Sequence, residues 1–290
     1  MEELISIIVL SYNSESTIIK TLDSILNQTY KSLEIIVTDD CSNDATIDLV
    51  KEWKARHSSI INVVIVTTSQ NTGVSANANR GLKAANARIV KILAADDTLE
   101  PNAISLYWKY YKNDHKKVIY QSKVNLIDEN DQQIVSDSNS MYPNLKRMYY
   151  KMKSEKQRMD LLKSNFIVSP AIGLISMETF KRCGYYDERF SMIEDYPFFL
   201  KLSEHGYTFK LINHKLVNYR FSSASICRSK RSKSRDKYLV SYAKFILLVK
   251  LKLIIKNKMY LTALQDLLRA LKSLFIVYVY HKGLDIVRIK

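Results

Sequence analysis

Two of the pairs of adjacent carboxylates in this chain are candidates for carrying out chemistry. The first pair, Asp96 and Asp97, follows a short apolar segment at 88–93 and two alanines, as expected at the end of a buried strand. Neighbouring residues on an extended chain point to opposite faces, so the two acids have different roles. Two like charges this close favour a divalent metal with oxygen ligands. The alternative is a solvated turn that caps a helix beginning at Pro101.

The second pair, Glu194 and Asp195, precedes a predicted helix that opens near Tyr196 and Pro197, since proline favours the first turn of a helix. A carboxylate at this position either caps the helix or, beside a nucleotide-binding cleft, acts as a catalytic base. The sequence alone leaves both interpretations open.

Apolar segments of strand and helix character alternate along the first hundred residues, with short connections between them. This alternation predicts an α/β fold with a mostly parallel sheet and helices on both faces. Ligands of such sheets bind at the carboxyl edge of the strands, where Tyr12, Asp39 and Asp40 are expected to join the first acidic pair. A Gly-x-Gly-x-x-Gly fingerprint and a Walker motif are both missing, which argues against dinucleotide-binding and P-loop proteins. The predicted strands are 4–10, 34–38, 60–67 and 88–93.

The middle of the chain is less regular. Strands are predicted at 118–127 and 133–136, with a hairpin turn at 128–131. The basic, tyrosine-containing segment 137–165 is interpreted either as a mobile flap over an anionic acceptor or as a solvated helical face. Residues 169–176 predict a buried strand, in which Gly173 would allow a close approach.

Charge divides the chain into two parts. Residues 1–225 hold 28 basic and 26 acidic side chains, whereas residues 226–290 hold 16 basic and 3 acidic ones. We therefore predict a body, 1–225, and a basic helical tail, 226–290. Lysines beside apolar stripes in the tail favour an anionic membrane surface as its partner. Packing of the tail on the body, or a contact in a homo-oligomer, is an equal alternative, and no nucleic-acid recognition motif accompanies the charge.

The three cysteines are widely spaced and lack metal-ligand spacing, which favours a reducing compartment. The start of the sequence lacks the basic flank of a signal peptide, and no apolar window reaches the length of a membrane span. We therefore expect a cytoplasmic protein, peripheral at the inner membrane face.

Together these segments resemble the family 2 inverting glycosyltransferases, which have the GT-A fold. The resemblance extends from about Ile5 to Ile226 and rests on several motifs in order. The motifs are Ile-Ile-Val-Leu-Ser-Tyr-Asn at 7–13, Ser-Ile-Leu-Asn-Gln-Thr-Tyr at 24–30, Glu-Ile-Ile-Val-Thr-Asp-Asp-Cys-Ser-Asn-Asp-Ala-Thr at 34–46, Asn-Thr-Gly-Val-Ser-Ala-Asn-Ala-Asn-Arg-Gly-Leu at 71–82, Ala-Asp-Asp at 95–97, Gly-Tyr-Tyr-Asp-Glu-Arg-Phe at 184–190, Glu-Asp at 194–195 and Tyr-Arg at 219–220.

The resemblance implies a nucleotide-sugar site. Tyr12 would stack on the nucleobase, usually uracil, and Asp39 and Asp40 would contact the base and ribose. Asp96 would approach the ribose or the sugar. The residues assigned to nucleotide-sugar binding are Tyr12, Asn13, Asp39, Asp40, Asn71 and Asp96.

The same resemblance implies the reaction groups. Asp97 would hold Mg²⁺ or Mn²⁺ against the diphosphate, Asp195 would be the catalytic base, and Glu194 would orient the acceptor. The chain departs from many relatives at Ala94, where they have an acid, and at Ser222, where they often have a histidine. Both changes remove a possible metal ligand.

The implied function is inverting transfer of a sugar from a nucleotide-diphosphate donor, UDP-linked, to a saccharide acceptor such as a lipid-linked glycan. Two other hypotheses stay open. One is a nucleotidyltransferase of related fold, which also uses a metal and acids at strand ends. The other is a non-catalytic protein whose basic tail binds an anionic surface.

Overall fold

The computed structural model describes residues 2–113, 117–134, 154–221 and 232–281. Its centre is a five-stranded sheet with the strand order β3-β2-β1-β4-β7. The first four strands are parallel and β7 runs antiparallel to β4, which confirms the predicted mostly parallel α/β sheet. The strands are β1 (Ile5–Ser11), β2 (Leu33–Asp39), β3 (Asn62–Val66), β4 (Ile89–Ala94) and β7 (Ile175–Ser176).

Alternation along the central strands gives the sheet two apolar faces. Ile7 and Val9 of β1 contribute to one core, whereas Ile8 contributes to the other, because successive side chains of a strand point to opposite sides. The first core includes buried residues of α1 (Ile18–Leu26) and α2 (Thr46–His57), such as Leu22 and Trp53.

Helix α3 (Val74–Ala84) covers the second face through Leu82. It approaches the sheet so closely that a Cβ atom on Gly81 would lie 2.4 Å from the Ile8 side chain. The helices between β4 and the tail are α4 (Ala103–Asn113), α5 (Ser154–Lys163), α6 (Met177–Cys183) and α7 (Asp195–Glu204).

A second sheet of three strands has the order β5-β8-β6, with β5 (Thr98–Leu99), β6 (Val118–Ile127) and β8 (Thr208–Arg220). Thr98 pairs with Asn218 in an antiparallel register. Because β5 follows the first acidic pair directly, this pairing brings the end of β8 beside Asp97. The alternative of a helix-capping turn is therefore wrong, since β5 intervenes and α4 begins only at Ala103.

One segment differs from the sequence-based expectation, and two others lie only partly within the described residues. Residues 169–176 do not form one strand: Ser169–Ala171 is a short 3₁₀ helix that contains a proline, Ile172 makes an isolated bridge with Gln121, and Ile175–Ser176 forms a two-residue strand. Gln133 makes an isolated bridge with Ile127, as the predicted hairpin requires, but 135–136 lie outside the described residues. Of the predicted flap, 137–153 lie outside them too, and Ser154–Lys163 forms helix α5.

The tail folds into helices that pack on the body. They are α8 (Lys233–Phe245), a π-helical segment (Ile246–Lys250), α9 (Leu251–Lys256) and α10 (Tyr260–His281). Phe245 and Ile254 are fully buried in the same core as residues of α7. The boundary at 225 stays a prediction, but the described part of the tail shares a core with the body. None of the helices in the described ranges has the combined length and apolar character needed to span a bilayer.

Candidate functional site

The loop after β1 presents Tyr12 at the carboxyl edge of the sheet. The Tyr12 side chain is 47% exposed, and Asn13 next to it adopts a left-handed conformation with φ of 50°. The loop is fixed by the end of β2: the buried Asp39 carboxylate accepts hydrogen bonds from the Ser11 hydroxyl at 2.8 Å and from the Ser42 hydroxyl at 2.5 Å. Asp39 therefore holds the two loops in place, and Tyr12 is available for stacking.

Asp40 organises the turn before α3. Its carboxylate accepts hydrogen bonds from the Thr72 amide and hydroxyl and from the Gly73 amide, and it pairs with Arg80 at 2.6 Å. Burial alone would raise the pKa of Asp40, but these hydrogen bonds lower it. Asn71 is exposed at the start of the same turn. The structure thus gives Asp40 a positioning role beside the nucleotide-binding role predicted for it.

The first acidic pair is asymmetric. The Asp96 side chain is exposed, whereas Asp97 is fully buried. One oxygen of Asp97, Oδ1, accepts a hydrogen bond from the Arg220 amide at 2.9 Å, and the other, Oδ2, has no partner. Burial and the nearby Asp96 charge raise the pKa of Asp97 well above its usual range, and the cations Arg220 and Lys91 oppose this rise.

Arg220, at the end of β8, ties this pair to the β6 hairpin. Its guanidinium donates to the Asp96 carbonyl at 2.9 Å and to the Asp128 carbonyl at 2.6 Å, and it forms an ion pair with Asp131. Arg220 belongs to one of the family motifs quoted above, but no feature of the sequence assigned it this role. A buried arginine that fixes the backbone on both sides is suited to positioning Asp97.

The donor set around Asp97 fits a divalent cation only in part. Its unpartnered Oδ2 atom is a hard carboxylate oxygen of the kind that Mg²⁺ and Mn²⁺ bind. Ala94 contributes no ligand, and Ser222 lies outside the described residues. Within the described ranges, no group of three or more His, Cys, Asp and Glu side chains is suited to hold a metal ion. A metal bound at Asp97 would need most of its ligands from diphosphate and water, as Mg²⁺ commonly does.

The second pair lies at the start of α7, and among the residues that the structure describes neither acid forms an ion pair with a cation. Asp195 accepts hydrogen bonds from the Tyr196 amide at 2.6 Å and from the Asn165 side chain at 3.3 Å, while Glu194 makes no side-chain cap. Loss of hydration and the neighbouring Asp195 charge raise the pKa of Glu194 to about 8. Loss of hydration also raises the pKa of Asp195. Two partly buried acids with raised pKa values are suited to proton transfer.

The segment that carries this second pair docks on the turn organised by Asp40. The Val74 amide donates to the Ser191 carbonyl at 2.8 Å, and the Ser75 hydroxyl donates to the Phe190 carbonyl at 2.8 Å. Gly73 has φ of 92°, and a Cβ atom there would lie 2.4 Å from the Ser191 oxygen. Because this turn follows the carboxyl end of β3, Glu194 and Asp195 are carried to the edge of the sheet where the first pair lies.

A second connection joins strand β4 to the segment that contacts the second acidic pair. Lys91 is fully buried, and its ammonium group donates to the Pro170 carbonyl at 2.9 Å, five residues after the Asn165 that contacts Asp195. Burial lowers the pKa of Lys91 to about 7, although the nearby Asp97 charge opposes this shift. Lys91 was not predicted, because a single lysine in an apolar strand resembles an edge or surface position.

The tail supplies the packing behind the second acidic pair. The Phe245 ring lies 5.6 Å from the ring of Phe190 and 5.0 Å from the ring of Tyr196. The Lys250 ammonium group lies 5.2 Å from the centre of the Tyr196 ring and pairs with Asp266 at 2.7 Å, with both side chains fully buried. No sequence signal distinguished these contacts from a solvated amphipathic helix.

The predicted nucleotide-sugar residues and both acidic pairs therefore lie along one edge of the sheet. A separate cavity of about 340 Å³ lies beside Asp131, the acid that pairs with Arg220. Neither acidic pair lines this cavity. It is lined by Lys20, Thr98, Asn125, Ile127, Asp131, Gln133 and Asn218.

A parallel-rich sheet with acids at its carboxyl edge is the architecture of the GT-A fold, and solved structures share it. TarS 1-349 of S. aureus in complex with UDP-GlcNAc matches with a TM-score of 0.61 at 16% identity, over 99% of this chain and 95% of that one. The mannosyltransferase PcManGT of Pyrobaculum calidifontis, in complex with GDP-Man and Mn²⁺, matches with a TM-score of 0.60 at 17% identity, over 96% of this chain and 76% of that one.

The chain belongs to Glycosyl transferase family 2, whose family model matches residues 6–183. It is 27% identical over 239 residues to an uncharacterized glycosyltransferase, MJ1057, of Methanocaldococcus jannaschii, over 81% of this chain and 77% of that protein. It is 37% identical over 95 residues to the UDP-Glc:alpha-D-GlcNAc-diphosphoundecaprenol beta-1,3-glucosyltransferase WfaP of Escherichia coli, over 33% of this chain and 36% of that protein. The chain spans only 16% of another relative, glycosyltransferase GlyA of Streptococcus pneumoniae.

Proposed function

We propose that the protein is an inverting glycosyltransferase that moves a sugar from a UDP-linked donor to a saccharide acceptor, in the synthesis of a lipid-linked or cell-surface glycan. The observation that carries the proposal is the presence of two acidic pairs in different surroundings along one sheet edge. Arg220 and Lys91 act electrostatically on the Asp97 pair, whereas the partners recorded for Asp195 are Tyr196 and Asn165.

The second pair has the properties of a base. The acceptor hydroxyl oxygen attacks the anomeric carbon as its proton passes to Asp195, and the bond from that carbon to the diphosphate oxygen breaks with its electron pair leaving on the nucleotide. A single displacement of this kind inverts the anomeric configuration. Partial desolvation raises the pKa of Asp195, which brings its basicity closer to that needed near neutral pH. Glu194 would hold the acceptor hydroxyl beside it.

The first pair faces the leaving group in this proposal. Asp97 would hold Mg²⁺ or Mn²⁺ through its unpartnered Oδ2, and the ion would supply charge stabilisation to the departing diphosphate. Arg220 keeps Asp97 in place through its amide. Asp96, exposed next to it, would contact the ribose or the sugar.

The remaining edge residues would bind the nucleoside. Tyr12 is exposed and carried on a loop that Asp39 fixes, which suits stacking on a uracil ring. Asn13 and Asn71 would supply polar contacts, while Asp40 shapes the turn that carries Asn71. The UDP-Glc donor and the lipid-linked acceptor in the name of the relative WfaP support a UDP donor and such an acceptor here.

The experiment measures turnover and donor binding separately. For Asp195→Asn we expect kcat to fall by roughly 10²–10⁴-fold, the usual contribution of a general base, with the donor Kd from calorimetry unchanged. Asp48→Asn is the matched control, because Asp48 lies on the surface of α2, where it pairs with Lys51. Full turnover of Asp195→Asn, or release of pyrophosphate from a nucleoside triphosphate in place of UDP from a UDP-sugar, would contradict the proposal.

A further inference from the structure

The exposed apolar surface of this protein is concentrated in the tail. Of the large hydrophobic side chains that are exposed in the described ranges, only Leu4, Tyr12 and Ile60 lie outside residues 247–278. The others are Leu247, Leu248, Ile255, Tyr260, Leu261, Leu264, Leu267, Leu268, Leu271, Leu274, Phe275, Ile276 and Tyr278. A concentration of this kind on one element indicates an interaction surface.

Helix α10 has two different long faces. Its inner face includes the fully buried Asp266 and Ala270, and Asp266 pairs with Lys250 and Arg269. Its outer face, which we call the α10 stripe, repeats at intervals of three and four residues. The stripe consists of Leu261, Leu264, Leu268, Leu271, Phe275 and Tyr278, which are between 52% and 72% exposed.

The stripe and its surroundings favour a bilayer over a second copy of the chain. A self-associating helical seam is narrow and is flanked by charges that pair across it, whereas this stripe is widened on one side by Tyr260, Leu267 and Leu274. The described tail, 232–281, is also cationic, with ten Lys and Arg against two Asp. One of these two, Asp266, is fully buried. Two such tails repel each other, but an anionic surface attracts one.

We propose that the α10 stripe binds flat on the surface of an anionic phospholipid bilayer. The helix has 22 residues, so it extends about 33 Å at 1.5 Å per residue. A wide apolar face on a cationic segment is the pattern of helices that lie in the interface between headgroups and acyl chains. Tyr260 and Tyr278, near the two ends of the helix, are of the amphipathic type that favours this depth.

The inner contacts of the tail connect this surface to the site. Asp266 of α10 pairs with Lys250, which lies against the Tyr196 ring, next to Asp195 in sequence. Membrane docking would therefore fix the orientation of the catalytic cleft relative to the bilayer. This consequence rests on the proposed function, whereas binding of the stripe to lipid does not.

The test measures sedimentation of the full chain with lipid vesicles. We expect binding to vesicles of 70% phosphatidylcholine and 30% phosphatidylglycerol, weaker binding to phosphatidylcholine alone, and a loss of binding as salt rises. The triple variant Leu264→Gln, Leu268→Gln, Leu271→Gln should lower the partition coefficient by about tenfold or more, since interfacial binding scales with buried apolar area. Ile60→Gln, at a 69% exposed position outside the tail, is the matched control and should bind like the wild type.

Three results would overturn the proposal. The first is that the wild type does not bind the anionic vesicles, and the second is that the triple variant binds them as well as the wild type does. The third is that light scattering shows a wild-type dimer that the triple substitution abolishes, while vesicle binding is unchanged. Circular dichroism and turnover of a soluble acceptor check that the triple variant is folded. A triple variant that keeps turnover but loses vesicle binding supports binding of the α10 stripe to lipid. A wild-type protein that binds vesicles but shows no transferase activity would contradict the proposed function and leave the lipid-binding proposal intact.

Discussion

The two acidic pairs are alike in sequence but differ in what the protein places around them. Asp97 accepts a hydrogen bond from the backbone amide of Arg220, and the nearby side chains of Lys91 and Arg220 lower its pKa electrostatically. Asp195 accepts one backbone amide and one side-chain amide, from Tyr196 and Asn165. Desolvation and a neighbouring acid raise the pKa of Asp97 as they raise that of Glu194, but at Asp97 the positive charges of Lys91 and Arg220 oppose the rise. In the proposed function, these surroundings, rather than the doublet itself, separate the cation-binding Asp97 from the proton-accepting Asp195.

The largest effect on donor binding should come from neutralising Asp97 of the first pair. Asp97→Asn keeps a side-chain oxygen for the Arg220 amide but removes the charge, so the donor Kd should rise by roughly 10–100-fold in the presence of Mn²⁺, the range expected for a lost charged contact. Calorimetry with and without Mn²⁺ measures this change. The comparison fails if Asp97→Asn and Asp195→Asn have the same effects on donor Kd and on kcat.

The pH profile sharpens the comparison from the side of the second pair. Because the base acts when deprotonated and burial raises the pKa of Asp195, kcat/KM should rise with pH, with its midpoint above the ordinary pKa of an aspartate. Glu194→Gln removes one negative charge and should move the midpoint of the rise to lower pH by about one unit. Glu178→Gln, on the surface of α6, is the control. A midpoint that moves upward or stays fixed in Glu194→Gln counts against coupling of the pair.

A smaller effect is expected at Arg220. Arg220→Lys retains the charge and the backbone amide that contacts Asp97, but it loses the fork that reaches the Asp96 and Asp128 carbonyls. The free energy of unfolding should fall by about 1–3 kcal/mol. The donor KM should rise by about threefold. Denaturant titration and steady-state kinetics measure both, with the surface variant Arg182→Lys as the reference. An unchanged stability would show that the guanidinium contacts contribute little.

The strands of the parallel sheet were predictable because short apolar segments rich in β-branched residues favour buried strands over other secondary structure. The prediction for β6 matches the observed Val118–Ile127, and the predicted β1, β2 and β4 are each within one residue of the observed ends. The positions of the acids at strand and helix ends follow from the same pattern. The placement of Asp39, Asp40, Asp96 and Asp97 along one sheet edge was therefore accessible from the sequence, whereas only the family resemblance implied a place for Glu194 and Asp195 in the same site.

The groups that distinguish the acids were not accessible, because they depend on pairing between distant segments. Arg220 reaches Asp97 only through the register of β5 with β8, and sequence spacing carries no information on that register. Lys91 sits in a strand that otherwise looks fully apolar, and its partner is a carbonyl 79 residues away. The segment 169–176 was predicted as one strand because it is apolar, but the proline in it supports a short 3₁₀ helix.

The position of Phe245 has a consequence for how this chain is made. During synthesis the first four strands and α1 to α3 leave the ribosome early and hold most of the contacts of the parallel core, so they can pack while elongation continues. The rings of Phe190 and Tyr196, however, lack the part of their packing that Phe245 supplies until that residue emerges. At about 5–20 residues per second, the nascent chain exposes this aromatic surface for seconds, and this is the interval in which chaperones would be expected to bind it.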